Sequence, residues 1–565
     1  MRKVKILTTL LILAMIVAPS CTDLEEEPFS VMTKDNYFQD AESITRAILR
    51  VYEHGSWHSW GRHHYLLEEL TADHMVWTQK GKHGYDDGQW VRLHDHTWAT
   101  DDPTIYDGWS GPFQGIGQAN MALSDLEELD YSEFNLAQEK KDEHIAELKA
   151  LRGWFYMDVL NWFREVPIVE TVDDLKEQSS PQEVFDFIES DLEDALEHLP
   201  EDKTVGRFDK EAVAGLLARL YFNAEVWIDQ PMYDESEKIA QDIIDGEYGG
   251  HHSLDEDYRG PFRSGAGEYQ SPENLMEIPN KKDVNEPGDI YNMLHHYQSH
   301  RILDTEYPGY NGCHLQPSRD LEGNIYTDFE LGKPYEKFSD DDKRKQPFVT
   351  TSEDGDYKGF FLIGRQYEFN DSQGYGYDST EIIEGNEEYY GEPLEFRDQV
   401  GRFSEGEEGL AEGSSVLKGE ENSGVRVLKF PWLPKASGKS FDNSFPEMRL
   451  AEMYYIVAEC KFRDGKDKAA AKLLDAVRER NFPEDEWPEH SYQNHPSELT
   501  KQEFIDEWGR EFFSELRRRT DLIRWGRFED KWWDKEPDTE DKTVFPIPRQ
   551  SINANDKLEQ TQWGN

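Results

Sequence analysis

Apolar residues recur every three or four positions near both ends of the chain, a spacing typical of helices that bury one face. The clearest stripe begins at Ile145 and continues through Leu148, Leu151, Phe155, Val159 and Trp162. Further stripes span 184–199, 213–224, 450–457, 470–477 and 504–516. Their spacing of about 30 to 40 residues favours antiparallel helix pairs stacked in the tetratricopeptide manner. The pattern therefore predicts a mainly α-helical scaffold.

Polar residues mark where several of these helices begin. Asp40 and Asp209 each precede an apolar stripe, as N-cap residues do. The segments 180–183 (SPQE) and 500–503 (TKQE) have the spacing of a capping box, in which hydroxyl and carboxylate satisfy two backbone amides reciprocally. These signals predict helix starts near 41, 181, 210 and 501.

The helical period disappears between about 246 and 445. Gly, Pro, Asp, Asn and Tyr dominate there, with short strand-like pieces at 360–363 and 425–428. A structureless run of that length is improbable inside a compact domain, so we expect a loop-rich region packed on the helices. The interpretation is one domain over 36–565, with helical parts at 36–245 and 446–565 and a loop-rich region at 246–445. Ligand sites commonly lie on such loops.

The N-terminus has the pattern of an export signal. A basic start is followed by an uncharged run at 6–18, too short to span a bilayer, and then by Cys21. The residues before Cys21 form a relaxed lipobox, so 1–20 is interpreted as a lipoprotein signal peptide and Cys21 as the lipid anchor. The alternative is an ordinary signal peptide with a chance cysteine. Residues 21–35 then form an acidic tether.

Net charge limits the classes of ligand that the protein can bind, and the cysteine content limits its disulfides. The net charge of −56 argues against nucleic acid and against direct adhesion to anionic lipid, and it favours a neutral ligand over a sulfated or uronic one. Plain solubility and adaptation to a salty medium both explain the acidity. Besides Cys21, only Cys313 in a Gly-rich loop and Cys460 in a helical stripe occur, which leaves one bridge between them open.

Motifs for catalysis and metal binding are missing from the sequence. It contains no GxSxG, Walker A loop, Rossmann glycine triplet or HExxH. Acidic runs at 255–257 and 354–356 begin like calcium loops but lack Glu at the twelfth position, and the His pairs lack zinc spacing. We therefore predict no catalytic residue, no metal and no cofactor. With 117 acidic residues, a carboxylate pair for glycoside hydrolysis cannot be identified from sequence, so a surface hydrolase stays an alternative.

Two segments without helical period are rich in aromatic residues. The first runs from Trp57 to Trp98 and the second from Tyr291 to Asn311 and Gly312. Flat aromatic rings can stack on the apolar faces of sugars while nearby Asp, Asn, Gln and Arg side chains bond the hydroxyls. The alternative is that these rings only pack the loops onto the helices.

Six motifs in order make the chain resemble, nearly end to end, the SusD-like (RagB/SusD) outer-membrane lipoproteins of the Bacteroidota. The first is Trp109-x3-Phe113-x2-Ile116-x2-Ala119-Asn120, and the second runs from Glu147 through Leu151-Arg152 and Phe155-Tyr156 to Val166-Pro167. The others lie at 208–221, 449–459, 511–526 and 546–560. Gly509 and Thr561-Gln562-Trp563 depart from the family pattern, both in the scaffold.

The resemblance implies about four tetratricopeptide-like units and an irregular ligand-binding region. It implies a non-catalytic protein of the cell outer membrane that captures a glycan and delivers it to a SusC-like TonB-dependent transporter. The acidic residues after Cys21 resemble the surface-export signal of these lipoproteins, which implies the outer face. A binder of another nutrient, such as peptide, with the same role as a transporter lid is the alternative.

Ligand residues vary within that family, so candidates are transferred by region only. By analogy of position, the stacking candidates are Trp77, Trp90 and Trp98, followed by Tyr307 and Tyr310. Asp73 and Asn311 are the polar partners that we expect beside them.

Overall fold

The computed structural model describes residues 37–171, 175–201, 205–263, 270–280, 290–304, 308–350, 357–369, 382–385, 392–403, 412–430 and 443–561. The chain divides into two units at Thr45 and Arg46. In the first unit, residues 37–45 are described and contain the start of helix α1. Asp40 caps that start, since its Oδ1 accepts a hydrogen bond from the Ser43 amide at 2.7 Å, as predicted.

Helices dominate the described chain. They are α1 (Ala41–Trp60), α2 (Arg62–Tyr65), α3 (Gln89–His94), α4 (Pro103–Glu128), α5 (Gln138–Phe163), α6 (Pro181–His198), α7 (Lys210–Phe222), α8 (Ala224–Ile228), α9 (Tyr233–Ile244), α10 (Ile290–Leu294), α11 (Ser299–Ile302), α12 (Pro334–Lys337), α13 (Leu450–Arg463), α14 (Asp467–Arg478), α15 (Trp487–His490), α16 (Lys501–Glu511), α17 (Arg518–Arg524) and α18 (Arg549–Ala554). A π-helical turn at Leu66–Leu70 follows α2, and a 3₁₀ turn at Asp86–Gly88 precedes α3.

Seven of these helices form a continuous stack. Helix α4 packs on α5, α5 on α6, α6 on α7, α7 on α9, α9 on α13 and α13 on α14. The contact between α9 and α13 joins helices separated by about 200 residues of chain, so the loop-rich middle leaves the stack and returns to it at the same place. The prediction of a mainly α-helical, tetratricopeptide-like scaffold is confirmed.

The predicted caps form, with one difference. Ser180 and Glu183 make the full capping box, and Asp209 Oδ1 accepts the Ala212 amide at 2.8 Å. At α16 only half of the box is present: Thr500 Oγ1 accepts the Glu503 amide at 3.1 Å. The Glu503 carboxylate instead accepts hydrogen bonds from Tyr492 and Arg510, so it does not return to the cap.

Short antiparallel strand pairs hold the middle region together. The strands are β1 (Met75–Trp77), β2 (Asn274–Ile278), β3 (Cys313–Leu315), β4 (Val349–Thr350), β5 (Tyr357–Lys358), β6 (Phe361–Leu362), β7 (Gly364–Arg365), β8 (Glu395–Phe396), β9 (Arg426–Val427) and β10 (Phe445–Arg449). The two strand-like pieces seen in the sequence pair with each other, as β6 and β9. Strand β2 pairs with β10, where the chain re-enters the stack.

A buried ionic cluster fastens the middle region to the C-terminal helices. This arginine junction consists of Glu273, Arg344, Lys429, Arg449, Arg480, Glu511 and Glu515. Arg449 Nη1 donates to Glu273 at 2.7 Å and to Glu511 at 3.0 Å, and its Nη2 donates to Glu515 at 2.8 Å. Glu273 directly precedes β2, Glu511 is the last residue of α16, and Glu515 follows that helix. The Arg449 guanidinium, at the end of β10, therefore ties three separate segments together.

The two cysteines that the structure describes are not paired. Both Cys313 and Cys460 are buried free thiols, so the bridge that the sequence left open does not form. Cys460 lies in α13, as its stripe predicted. Cys313 lies in β3 rather than in a loop, because Gly312 ends the loop and the next residues pair with β1.

Candidate functional site

A cavity of about 580 Å³, the Trp77 cavity, opens where three stretches of chain meet. Its walls are lined by Trp77, Thr78, Lys80, His83, Gly84, Asp86, Tyr297, Tyr310, Asn311 and Glu421. Most of these residues belong to the two aromatic segments noted in the sequence. The volume lies within the usual range for ligand pockets.

Backbone pairing brings the three stretches together. Strands β1 and β3 place Trp77 opposite Cys313, so the residues before Cys313 lie beside the Trp77 ring. Gly312 is required there, because an added Cβ would lie 2.8 Å from that ring. On the other side, the amide of Gly419 donates to the Gln79 carbonyl at 2.9 Å and positions the segment that carries Glu421.

Two tryptophans of the first segment, Trp77 and Trp90, form a wall rather than an open platform. Trp77 and Trp90 stack with ring centroids 4.5 Å apart and planes 16° apart, and the Arg62 guanidinium covers Trp90 at 4.6 Å. Trp77 is 7% exposed and Trp90 is 1% exposed. Trp90 Nε1 donates to Asp86 at 2.7 Å. The Nε1–H of Trp77 has no acceptor within the part of the chain that the structure describes, so this donor is available to a ligand.

Tyrosines supply the accessible ring faces. Tyr310 is 44% exposed, and Tyr297 is half-buried with its hydroxyl donating to the Glu421 carboxylate. Two backbone bonds fix the Tyr310 segment: its amide donates to the Asn292 carbonyl at 2.6 Å and the Asn311 amide to the His295 carbonyl at 2.8 Å. Tyr310 was predicted from the sequence, whereas Tyr297 was not, although it lies in the second aromatic segment.

The polar groups of the cavity differ in how fully they are satisfied. Lys80 is 4% exposed, and its ammonium donates to the carbonyls of Gly312 at 3.0 Å and Thr78 at 3.3 Å. Burial, and next the charge of Arg426, lower the pKa of Lys80 well below its usual value. Asn311 Oδ1 is buried and has no hydrogen-bond donor among the described residues. Because a buried acceptor without a partner is costly, this oxygen is suited to a ligand hydroxyl.

Trp98 lies at a different cavity. It is half-buried, with its ring packed edge-on against Phe545 at 4.7 Å, and it lines a second, open cavity of about 660 Å³. Acidic side chains dominate that cavity, including Asp95 and Asp534. The structure therefore separates Trp98 from the Trp77 cavity.

Asp73 is not brought to either cavity. It is fully buried, and it accepts hydrogen bonds from Arg518 at 2.7 and 3.0 Å and from the Gly332 amide at 2.7 Å. Burial alone would raise the pKa of Asp73, but Arg518 outweighs it and holds that pKa far below the ordinary value. This geometry gives Asp73 a structural role. Tyr307 and Cys21, the latter predicted as the lipid anchor, lie outside the described residues.

Neither a metal centre nor a membrane helix is found in the described ranges. No group of three or more His, Cys, Asp or Glu side chains there could hold a metal ion. No helix in the same part of the chain is both long and apolar enough to cross a bilayer.

Two family models match the sequence. One is described as the SusD family and matches residues 272–537; the other is described as starch-binding associating with outer membrane and matches residues 24–222. The starch-binding protein SusD of Bacteroides thetaiotaomicron is 25% identical over 431 residues, which are 74% of this chain and 71% of that protein. A SusD-like protein of Formosa agariphila is 21% identical over 95% of both chains.

Solved structures share the fold. A laminarin-binding SusD-like protein superposes with a TM-score of 0.64 at 18% identity, covering 93% of this chain and all of that one. Surface glycan-binding protein A from Bacteroides thetaiotaomicron, in complex with laminarihexaose, gives a TM-score of 0.62 at 18% identity, covering 92% of this chain and 99% of that one. These similarities establish the architecture.

Proposed function

This chain belongs to the SusD family, and from that premise we propose that it is a non-catalytic, cell-surface glycan-binding lipoprotein. The ligand is an oligosaccharide or polysaccharide that enters the cavity between Trp77 and Tyr310. Three of the residues predicted from sequence are kept as ligand contacts: Trp77, Tyr310 and Asn311. Trp90 supports Trp77 from behind, and Trp98 remains a candidate at its separate cavity.

The observation that carries this proposal is the pairing of an exposed ring with unused polar atoms. Tyr310 offers an exposed face for an apolar sugar face, the Asn311 Oδ1 atom accepts from a hydroxyl and the Trp77 Nε1–H donates to one. Sugars need this combination, since each ring has apolar C–H faces and an edge of hydroxyls. A starch-binding relative, a laminarin-binding one and one solved with laminarihexaose support such a ligand.

Binding rather than hydrolysis fits the carboxylates of the cavity. Asp86 accepts the Trp90 indole N–H at 2.7 Å, and Glu421 accepts the Tyr297 hydroxyl. Both carboxylates therefore hold the cavity wall in place, whereas a glycosidase needs a protonated acid and a second carboxylate placed across the scissile bond. We propose that the protein captures its glycan unchanged.

The captured glycan is then passed on for uptake into the cell. The acyl chains on Cys21 would keep the protein at the outer membrane, and the acidic tether at 21–35 would place it on the outer face. The partner is a SusC-like TonB-dependent transporter that receives the glycan. The family model described as associating with the outer membrane supports the location.

Affinity electrophoresis tests ligand binding directly. The mature protein is run through gels that contain starch, laminarin, xylan, mannan, a uronic polymer or a sulfated polymer, and calorimetry follows with oligosaccharides of any polymer that slows migration. We expect Tyr310→Ala and Asn311→Ala each to weaken binding about tenfold, or about 1.4 kcal/mol, without loss of folding. The control is Tyr248→Ala, which removes a half-buried tyrosine beyond α9. Wild-type protein that binds peptides and no glycan would overturn the proposal.

A second experiment tests the location and the partner. Cys21→Ala protein should leave the cell surface yet still bind the glycan that the wild type binds. Wild-type protein solubilised in mild detergent should co-purify with a TonB-dependent transporter. Retention of the Cys21→Ala protein in the membrane fraction would contradict the anchor.

A further inference from the structure

Exposed aromatic rings are rare in the part of the chain that the structure covers. The sequence has 16 Trp, 27 Tyr and 29 Phe, yet among the described residues only Tyr85 at 48% and Tyr310 at 44% count as exposed aromatic side chains. Tyr310 lines the Trp77 cavity. Tyr85 lies between Gly84 and Asp86, which both line the same cavity. Exposed apolar surface that gathers at one place marks a binding surface, whereas scattered single residues do not.

The backbone holds Tyr85 in its exposed position. The three residues after it, Asp86, Asp87 and Gly88, have positive φ angles of 44°, 57° and 76°. Such a run costs conformational energy and persists only where the surroundings enforce it. The Gly88 amide closes the turn on the Tyr85 carbonyl at 2.7 Å.

A salt bridge braces the same turn from outside. Arg92 Nη1 donates to the Asp87 carbonyl at 2.8 Å, while Arg92 Nε donates to Asp102 at 2.8 Å. Gly88 also leaves room for the tyrosine, because an added Cβ would lie 3.3 Å from the Tyr85 hydroxyl. The ring is thus kept out of the protein core by a preformed turn, as a rigid aromatic platform for a ligand would be.

We propose that Tyr85 is a second stacking platform, which contacts sugar units beyond those held in the cavity, so that the site prefers long glycan chains to short ones. This inference rests on the proposed function and adds chain length as the property that is selected. Units in the cavity contact Tyr310, Asn311 and Trp77. Units that extend past Asp86 contact Tyr85.

Chain-length series test the inference. The probes are disaccharides and hexasaccharides of the laminarin and starch series, or the same sizes prepared by partial hydrolysis of whichever polymer slows the wild-type protein in gels. Wild-type affinity should rise from two to six units. Tyr85→Ala should weaken hexasaccharide binding about three- to tenfold and leave disaccharide binding unchanged. Tyr310→Ala should weaken both.

Two control variants test whether the aromatic ring of Tyr85 is the group that binds. Tyr85→Phe keeps the ring and should bind both lengths like the wild type. Met121→Ala removes an exposed apolar side chain on α4, 56% exposed, and should also bind like the wild type. Circular dichroism and thermal melting should show unchanged folding for all four variants.

The binding results show separately whether the protein binds glycan and whether Tyr85 contacts the longer chains. If no polymer slows the wild type, the proposed function fails and the inference fails with it. If the wild type binds glycan but Tyr85→Ala binds hexasaccharide equally well, only the role of Tyr85 is overturned. Equal weakening for both lengths would place Tyr85 inside the primary site and overturn the preference for long chains.

Discussion

The arginine junction and the Trp77 cavity use similar side chains for opposite purposes. In the junction, Arg449 is 1% exposed, donates to three carboxylates and has the rings of Phe262 and Phe512 over its guanidinium at 5.3 and 4.6 Å. In the cavity, Asn311 Oδ1 and the Trp77 indole N–H meet no partner in the described chain. Every carboxylate of the junction is paired with arginine or lysine without any ligand, whereas these two polar groups of the cavity are unpartnered among the described residues.

The difference shows how to tell structural polar groups from binding groups. Burial alone would raise the pKa of Glu511, but Arg480, Arg449 and Arg344 lower it to about 2, the sign of a carboxylate that the fold fully satisfies. An unpartnered polar atom costs free energy wherever it is buried. On a cavity wall a ligand can remove that cost by forming the missing hydrogen bond. Inside the core no ligand can reach the atom, so the cost stays.

Breaking the arginine junction should have the largest effect on the stability of the protein. Arg449→Met leaves Glu273, Glu511 and Glu515 without their shared cation, so we expect the free energy of unfolding to fall by about 3 to 5 kcal/mol. Urea denaturation measures it. Glycan affinity of the folded fraction, measured by calorimetry below the transition, should stay the same.

The matched control for that variant is an exposed arginine. Arg549 pairs with Asp101 at 3.5 Å, and its side chain is 62% exposed. Arg549→Met should therefore change the free energy of unfolding by about 1 kcal/mol or less. Equal losses in the two variants would show that the junction contributes no more than a surface pair.

Glu69 differs from the junction carboxylates, because one of its oxygens is buried in the core without a hydrogen-bond partner among the described residues. It is fully buried, its Oε1 accepts the Leu516 amide at 2.9 Å, and its Oε2 has no partner among the described residues. Burial, and next the charge of Glu68, raise the pKa of Glu69 to about 8. The folded protein therefore keeps a proton that the unfolded chain releases near pH 4.3.

The sign of the pH effect follows from this difference. The stabilising contribution of Glu69 to the free energy of unfolding is fully present below about pH 4.3 and is lost as the pH rises through about 8. Between these values the unfolded chain binds fewer protons than the folded protein does. Glu69→Gln mimics the protonated acid, so at pH 8 it should be more stable than the wild type by about 4 kcal/mol. At pH 4 the two should match. Thermal melts at both pH values check this; an equal gain at pH 4 would contradict the protonation argument.

The sequence predicted the scaffold well because helical periodicity and caps are local signals. The stripe from Ile145, the box at Ser180 and the cap at Asp209 all act within one or two turns, and each is present. The capping box predicted at Thr500 forms only in part. Its Glu503 carboxylate accepts hydrogen bonds from Tyr492 and Arg510 instead of from the cap, and no local pattern predicts this.

The site was predicted less completely, because its walls depend on pairings across the chain. The aromatic segments were visible, and Trp77, Tyr310 and Asn311 do line one cavity. No local pattern shows that Trp90 would be covered by Arg62 or that Asp73 would pair with Arg518, more than 400 residues away. Lys80 and Glu421 gave no signal at all, since their role depends on the contact between Gln79 and Gly419.

Trp77→Phe tests an unsatisfied atom on the cavity side. Phenylalanine keeps a ring against Trp90 but lacks the indole N–H, so glycan affinity should fall by about 1 kcal/mol, or about fivefold. Calorimetry with the oligosaccharide that binds the wild type measures it. Trp90→Phe is the matched variant: it loses the internal bond to Asp86, so its main effect should be on thermal stability. A reversed pattern would mean that the indole of Trp77 is structural.

Trp98→Ala should have the smallest effect on glycan binding. Trp98 was a stacking candidate from sequence, but it lies at the acidic cavity with Asp95 and Asp534 rather than beside Tyr310. Because Trp98 lines none of the Trp77 cavity, we expect affinity for a short oligosaccharide to stay within about twofold of the wild type. Any loss of stability should come from its contacts with the Phe545 ring at 4.7 Å and the His96 ring at 4.9 Å. A drop in affinity well beyond twofold, with the protein still folded, would show that the glycan also reaches the second cavity. Such a result would restore the sequence prediction for Trp98 and join the two aromatic regions into one surface.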